Sequence, residues 1–325
     1  MKPRVVVVQR VHQAGLDLLS QETDWILAKN TEPESLVEEV KDADAILVRT
    51  TPLPRSVLEA APNLKVVGRH GVGVDNIDIK AATELGIPVV YAPGSNTLAV
   101  AEHAVMLMLA LAKGVLVADR ELREKNNYAA RFSVASTELG GKTLGLIGLG
   151  KIGKSVAKIC KTGFDMRVIA YDPYINKEAA EALGVTLVDD IDDIIEQADV
   201  ISLHAPATEE NHHLIGAEQL DKMRPSTILI NTARGPLVDE TALYHALKNG
   251  QIAAAGVDVF DPEPPEESNP LFTLPNVIVT PHMAAHSAEG LERMATMAAE
   301  GILQVLRNEY PSHIYNPEVW ECRRK

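Results

Sequence analysis

A chain of 325 residues with 46% apolar and 23% charged residues has the balance of a soluble globular protein and is long enough for two cores. Its formal net charge of −14 excludes polyanions such as nucleic acid and anionic membrane as partners, because no long basic run offsets it and Arg323-Arg324-Lys325 reads as a solvated end. Two cysteines, Cys160 and Cys322, make neither a disulfide framework nor a Cys-x-x-Cys pair, which points to a reducing cytoplasm.

Taken in order, residues 5–8 form an apolar run too short for the core of a signal peptide and read as a buried parallel strand. A helix over 13–20, a strand at 26–28, a helix over 33–40 and a strand at 45–48 follow, and this βαβαβ order implies a parallel sheet with right-handed crossovers. The pattern continues through a helix at 54–60 and strands at 64–68 and 89–91, with a boundary at Pro93-Gly94-Ser95-Asn96. Residues 98–118 form the most hydrophobic later segment. Glu102, His103 and Lys113 interrupt it, so it reads as one buried helix rather than a membrane span.

The most informative stretch comes next. The apolar run Thr143-Leu-Gly-Leu-Ile enters Gly148-Leu-Gly150-Lys-Ile-Gly153, a helix is expected over 151–162, and Asp172 ends the following strand at 168–171. This is a dinucleotide-binding fingerprint. Gly148 permits the tight turn, Gly150 lets backbone amides approach a pyrophosphate, and Gly153 lets the helix pack closely on the sheet. Asp172 accepts the ribose hydroxyls. Its neighbours Tyr171, Pro173, Tyr174, Ile175 and Asn176 supply no cation for a 2′-phosphate, so the expected cofactor is NAD rather than NADP. Further strands at 200–204, 228–231, 255–259 and 277–280, with helices at 191–196, 217–222 and 239–249, bring this second sheet to six strands. A final helix over 288–307 is long enough to return to the first domain.

In an open parallel sheet the reacting groups lie just past the carboxyl ends of the strands. Three polar residues stand at such positions: Arg234 in Asn-Thr-Ala-Arg-Gly, Glu263 in Asp261-Pro-Glu-Pro, and His282 after Val-Ile-Val-Thr-Pro. Oxidation of an alcohol to a ketone needs a base for the hydroxyl proton, and an imidazole serves both directions. A carboxylate beside it holds its orientation and favours the protonated form, and a guanidinium grips a 2-carboxylate. His282 is therefore the expected acid/base, Glu263 its partner and Arg234 the substrate anchor. The His282-x-x-x-His286 spacing lacks a third ligand, so no metal is expected, and the pair His212-His213 reads as solvated loop histidines. His204 ends a strand at the cofactor edge.

Several segments together resemble the D-isomer-specific 2-hydroxyacid dehydrogenases, in particular the short phosphoglycerate-dehydrogenase-like members. They are Gly68-Arg-His-Gly-Val-Gly-Val-Asp-Asn76, Asn96-Thr-Leu-Ala-Val-Ala-Glu-His103, the glycine loop through Asp172, Asn231-Thr-Ala-Arg-Gly235, Gly256-Val-Asp-Val-Phe260 with Glu263, and Thr280-Pro-His282, and they cover essentially the whole chain. The resemblance implies an α/β protein in which a Rossmann NAD-binding domain, residues 98–286, is inserted in a discontinuous flavodoxin-like substrate domain, residues 1–97 and 287–325, with the active site in the cleft. It places the amides of Lys151 and Ile152 on the pyrophosphate and Asp258 on the nicotinamide carboxamide. His204, Pro206, Thr232, Ala233 and Ala285 line the cofactor. Val72 and Gly73 hold the substrate carboxylate, and Arg49 meets a further anionic group of a phosphoglycerate-like or hydroxypyruvate- or glyoxylate-like substrate. The helix beginning near Leu98 matches the family's dimer-forming helix, so a homodimer is expected. The alternative implied by the same fold is an NAD(H)-sensing, corepressor-like binding protein. A formate-type enzyme would carry glutamine in the role of Glu263.

Overall fold

Four-residue runs such as Ala45–Val48 and Val200–Leu203 are buried along their whole length, the signature of strands covered on both faces by helices. In this computed structural model, which describes residues 2–324, such runs build two separate parallel sheets. The chain divides accordingly into two units, one made of residues up to Asn96 together with those from His286 onward, the other Thr97–Ala285.

The first unit begins β1 (Arg4–Val7), α1 (Gln13–Glu22), β2 (Asp24–Leu27), α2 (Pro33–Glu39), β3 (Ala45–Val48), α3 (Arg55–Glu59), β4 (Val66–Arg69), α4 (Ile79–Glu84) and β5 (Val89–Val90). Its five strands run parallel in the order β2-β1-β3-β4-β5. That is the expected flavodoxin-like, doubly wound order.

The second unit opens with α5 (Thr97–Ala112) and α6 (Val115–Lys125), where the sequence predicts one buried helix over 98–118. The chain instead breaks at Gly114, whose φ of 58° lies in the left-handed region, and the two helices bend by 61°. Apolar residues bury much of α5 but none of α6, whose charged run Asp119-Arg-Glu-Leu-Arg-Glu-Lys faces solvent. No single helix among the described residues is long and apolar enough to cross a membrane. The unit continues β6 (Thr143–Ile147), α7 (Lys151–Phe164), β7 (Arg167–Tyr171), α8 (Lys177–Glu181), β8 (Thr186–Leu187), α9 (Ile191–Gln197), β9 (Val200–Leu203), α10 (Ala217–Lys222), β10 (Ile228–Asn231), α11 (Glu240–Lys248), β11 (Ala254–Val257) and β12 (Val277–Val279).

This sheet has seven parallel strands, not six, in the order β12-β11-β10-β9-β6-β7-β8. The added strand β8 is a two-residue edge pairing Thr186 and Leu187 with Ile169 and Ala170, too short for any periodicity to announce it. The order reverses direction at β6 and β9, the topological switch point where a doubly wound sheet opens a crevice at its carboxyl edge. After this unit, α12 (Ala288–Leu306) rejoins the first. Its stripe Ala295, Ala298, Ala299 and Ile302 packs against Val5 and Val7 of β1 and Leu16 and Leu19 of α1.

Candidate active site

The glycine loop joins β6 to α7 at the switch point. Gly148 has φ 97°, and a Cβ there would lie 2.8 Å from the His204 carbonyl, while a Cβ on Gly153 would lie 2.3 Å from the Gly148 oxygen. Any side chain at either position would force the backbone apart. A Cβ on Gly150, by contrast, meets nothing within 4 Å, and Gly150 precedes α7 with no side-chain cap. The first turn of this 14-residue helix thus has no side-chain cap and open space at Gly150, an arrangement that fits a pyrophosphate at its positive end. Asp172, partly buried at the end of β7, accepts hydrogen bonds from the Leu149 amide (2.7 Å) and the Tyr174 amide (2.9 Å). Its carboxylate is thus fixed beside the loop with lone pairs left for two ribose hydroxyls. His204 follows β9 as a support for this loop: its ring bonds the Ser202 hydroxyl at 3.0 Å, and burial pushes its pKa down to about 4, so it is neutral at pH 7. Pro206 lies exposed just beyond it.

At the end of β10, buried Asn231 shapes the next loop. Its side chain accepts from the Ala233 amide (3.1 Å) and donates to the Arg234 carbonyl (2.9 Å). Among the described residues the buried Thr232 hydroxyl has no hydrogen-bond partner, an orphaned donor that also fits a bound cofactor. The Arg234 guanidinium donates to the Ala233 carbonyl at 2.7 Å.

His282 and Glu263 are joined by a 2.7 Å bond between Nδ1 and the carboxylate, although they are 19 residues apart and follow different strands. The same carboxylate accepts the Phe260 amide at 3.0 Å. Burial by itself would raise the Glu263 pKa. The bonds from His282 and the Phe260 amide, with the positive charges of His282 and Arg234, outweigh it, so the net shift is downward and the group is an anion at neutral pH. Arg234, Glu263 and His282 therefore form one electrostatic cluster.

His282 is held in the left-handed region at φ 47°, an uncommon conformation for a residue other than glycine. Asp258 explains how. It has no exposed surface, and its carboxylate accepts the Thr280 hydroxyl and the amides of Met283 (2.9 Å) and Ala284 (2.9 Å), while its carbonyl accepts the His282 amide (2.8 Å). The resemblance places Asp258 on the nicotinamide carboxamide; its buried carboxylate, with three donors on it, also holds the turn. His103 of α5 completes this anchor, 3.0 Å from the Thr280 hydroxyl and 3.6 Å from the Asp258 carboxylate. The sequence assigns His103 and Thr280 no role; the one signal it offers is a lone histidine inside the apolar helix α5. Ala285, partly buried, ends the turn.

The remaining predicted residues belong to the first unit. Arg49 follows β3 in a turn that Gln9 holds by accepting the amides of Arg49 (3.2 Å), Thr50 (2.8 Å) and Thr51 (3.2 Å). Its guanidinium bonds the His286 ring, and burial lowers its pKa. Val72 and Gly73 are partly exposed in the loop after β4. Between these lies His70, 2% exposed, whose pKa falls to about 4 because of burial first and the charges of Arg49 and Arg69 second.

Residues 105–284 match the family model described as D-isomer specific 2-hydroxyacid dehydrogenase, NAD binding domain. The chain belongs to the D-isomer specific 2-hydroxyacid dehydrogenase family. Among relatives, this family member is 47% identical over 314 residues to D-3-phosphoglycerate dehydrogenase of Methanocaldococcus jannaschii, covering 96% of the chain but only 59% of that protein's length. To glyoxylate reductase of Korarchaeum cryptofilum it is 42% identical over 99% of the chain and 98% of the relative. The crystal structure of the TT0316 protein of Thermus thermophilus superposes on it with a TM-score of 0.85 at 34% identity, covering 96% of this chain and 99% of that one. The glycine loop, Asp172 and the Asp258-anchored turn all fall on the NAD-binding domain or at its edge.

Proposed function

We propose that the protein is an NAD-dependent dehydrogenase that interconverts a small D-2-hydroxy acid and its 2-keto acid. The observation that carries this reading is the 2.7 Å bond between His282 and Glu263 on a turn pinned by buried Asp258. With Nδ1 donating to Glu263, Nε2 is the ring atom left to face substrate. In the oxidative direction His282 Nε2 takes the hydroxyl proton as the carbonyl forms, and in reduction it returns that proton. NAD supplies the hydride acceptor, or NADH the donor. Arg234 grips the 2-carboxylate and stabilises charge on the neighbouring oxygen. Asp258, Thr280 and His103 position the histidine, and Glu263 holds its tautomer. Along the cofactor we assign the amides of Lys151, Ile152 and Gly153 to the pyrophosphate, Asp172 to the ribose, and Thr232, Ala233 and Ala285 to the nicotinamide side. Asp172 also favours NAD over NADP, because a fixed carboxylate repels a 2′-phosphate.

For substrate, the first unit supplies Val72 and Gly73 for the carboxylate and Arg49 for a second polar or anionic group, a reading supported by relatives named phosphoglycerate dehydrogenase and glyoxylate reductase. A homodimer through α5 and α6 is supported by exposed Leu98, Met106, Val115, Leu116 and Leu122 and by a cavity of about 660 Å³ beside them, lined by Leu116, Val117, Val134 and Ile278. The two free cysteines suit a cytoplasmic home.

The test is NADH oxidation against hydroxypyruvate, glyoxylate, pyruvate and phosphohydroxypyruvate. Turnover of at least one acid, with faster use of NADH than NADPH, is the expected result. NADH binding with no turnover of any acid would overturn the dehydrogenase in favour of a cofactor-sensing protein.

A further inference from the structure

On the second unit, outside the groups assigned to catalysis but on the segment that leads to Glu263, His212 and His213 stand beside Asp261. Adjacent side chains of an extended segment point to opposite sides. Here they do not, because His213 adopts φ 54° while its amide is held by the Pro236 carbonyl at 2.8 Å. The two imidazoles consequently lie side by side, with ring centroids 3.9 Å apart and planes tilted by 30°. The loop is prebuilt on its other flank too: the Asn211 side chain accepts the Thr208 amide (2.7 Å) and donates to the Pro206 carbonyl (2.8 Å).

From these positions, we propose that His212, His213 and Asp261 form a binding site for a divalent transition-metal ion of the zinc class. One ligand atom from each residue lies within 4.8 Å of the other two, and His212 Nε2 is 3.9 Å from the Asp261 carboxylate. Ligands at about 2.0–2.1 Å around a tetrahedral zinc ion sit roughly 3.3 Å apart, so binding would draw the three donor atoms together and turn one imidazole out of the stack. All three residues are exposed and free to make these movements. Two imidazoles and one carboxylate are a donor set of zinc-like character, with the fourth position left to water. Asp239, 3.9 Å from His213 Nδ1, adds negative charge behind the site while its other oxygen caps α11. Glu240 accepts the Asp261 amide at 2.8 Å and fixes the backbone that presents the carboxylate. A bound ion would tie the loop after β9 to the segment after β11 that carries Glu263.

The experiment titrates the full chain, freed of metal by chelator, with Zn²⁺ by calorimetry and with Co²⁺ by its visible absorption. Wild type is expected to bind one equivalent. His212→Ala and His213→Asn each weaken that binding by at least about tenfold, and asparagine keeps the left-handed backbone accessible. NADH binding by the variants confirms that they are folded. His282→Ala should retain the metal. The proposal is overturned if wild type binds no Zn²⁺, if both loop variants bind as wild type does, or if His282→Ala alone abolishes binding.

Discussion

The two units place a histidine after a sheet strand in opposite ways. His70 directly follows β4, its amide donating to the Val48 carbonyl at 2.8 Å, and its ring is almost wholly buried next to arginines. His282 follows β12 after Thr280 and Pro281, in a left-handed turn, with its ring about half exposed and bonded to a carboxylate. One environment removes the imidazole from proton exchange near neutral pH, and the other presents it with its tautomer set. Both sheets are parallel and doubly wound, so the fold does not distinguish these residues. Burial and the sign of the neighbouring charge do.

That contrast predicts a graded set of effects. His282→Ala should lower kcat by about a thousandfold, the scale of a lost general acid/base, while steady-state titration shows NADH affinity nearly unchanged. A variant with wild-type kcat would make the two histidines equivalent and end the assignment. Asp172→Ala removes a charged acceptor for the ribose and should cost about a hundredfold in kcat/KM for NADH, with a much smaller loss for NADPH. Equal losses for both cofactors would show that Asp172 supports only the loop.

His70 should instead register in stability. Its folded pKa of about 4 lies below its ordinary 6.5, so the unfolded chain binds the extra proton first. The stabilisation is complete above pH 6.5 and is lost as pH falls toward 4, and by pH 5 the loss is about 2 kcal/mol. Urea unfolding of wild type and His70→Gln at pH 7.5 and pH 5 should show a shallower pH dependence in the variant, and identical dependences would refute the buried neutral histidine.

Glu263→Gln should reduce kcat by about tenfold above pH 5. Its pKa is depressed below 4.5, so the wild-type carboxylate is charged throughout that range, and its contribution disappears only as pH falls through the depressed value. The difference between variant and wild type should therefore shrink on the acid side of the pH–rate profile. A constant ratio at all pH values would leave Glu263 a merely structural acceptor.

Much of the candidate site is legible in the sequence. The strand-glycine-helix pattern at 143–153 carries its own geometry, because Gly148 and Gly153 occupy positions where any Cβ would strike backbone. Arg234, Glu263 and His282 could be shortlisted because parallel strands deliver their following loops to one edge. The anchoring role of Asp258 is not legible in the sequence, where it is a polar residue after a strand like the others; only its complete burial under Thr280, Met283 and Ala284 shows it. Gln9, whose one side-chain oxygen holds the turn around Arg49 some 40 residues later, had no local signal either.

Local chemistry in the chain thus determined the alternation of strands and helices, the two parallel sheets, the cofactor loop and the candidate triad, because apolar periodicity and glycine sterics act over a few residues. Tertiary structure alone decided the break at Gly114, the seventh strand, the anchoring of His282 by Asp258 and His103, and the side-by-side imidazoles of His212 and His213. Each of these depends on what a distant segment does with a buried donor, an edge or a backbone angle, and no window of sequence contains both partners.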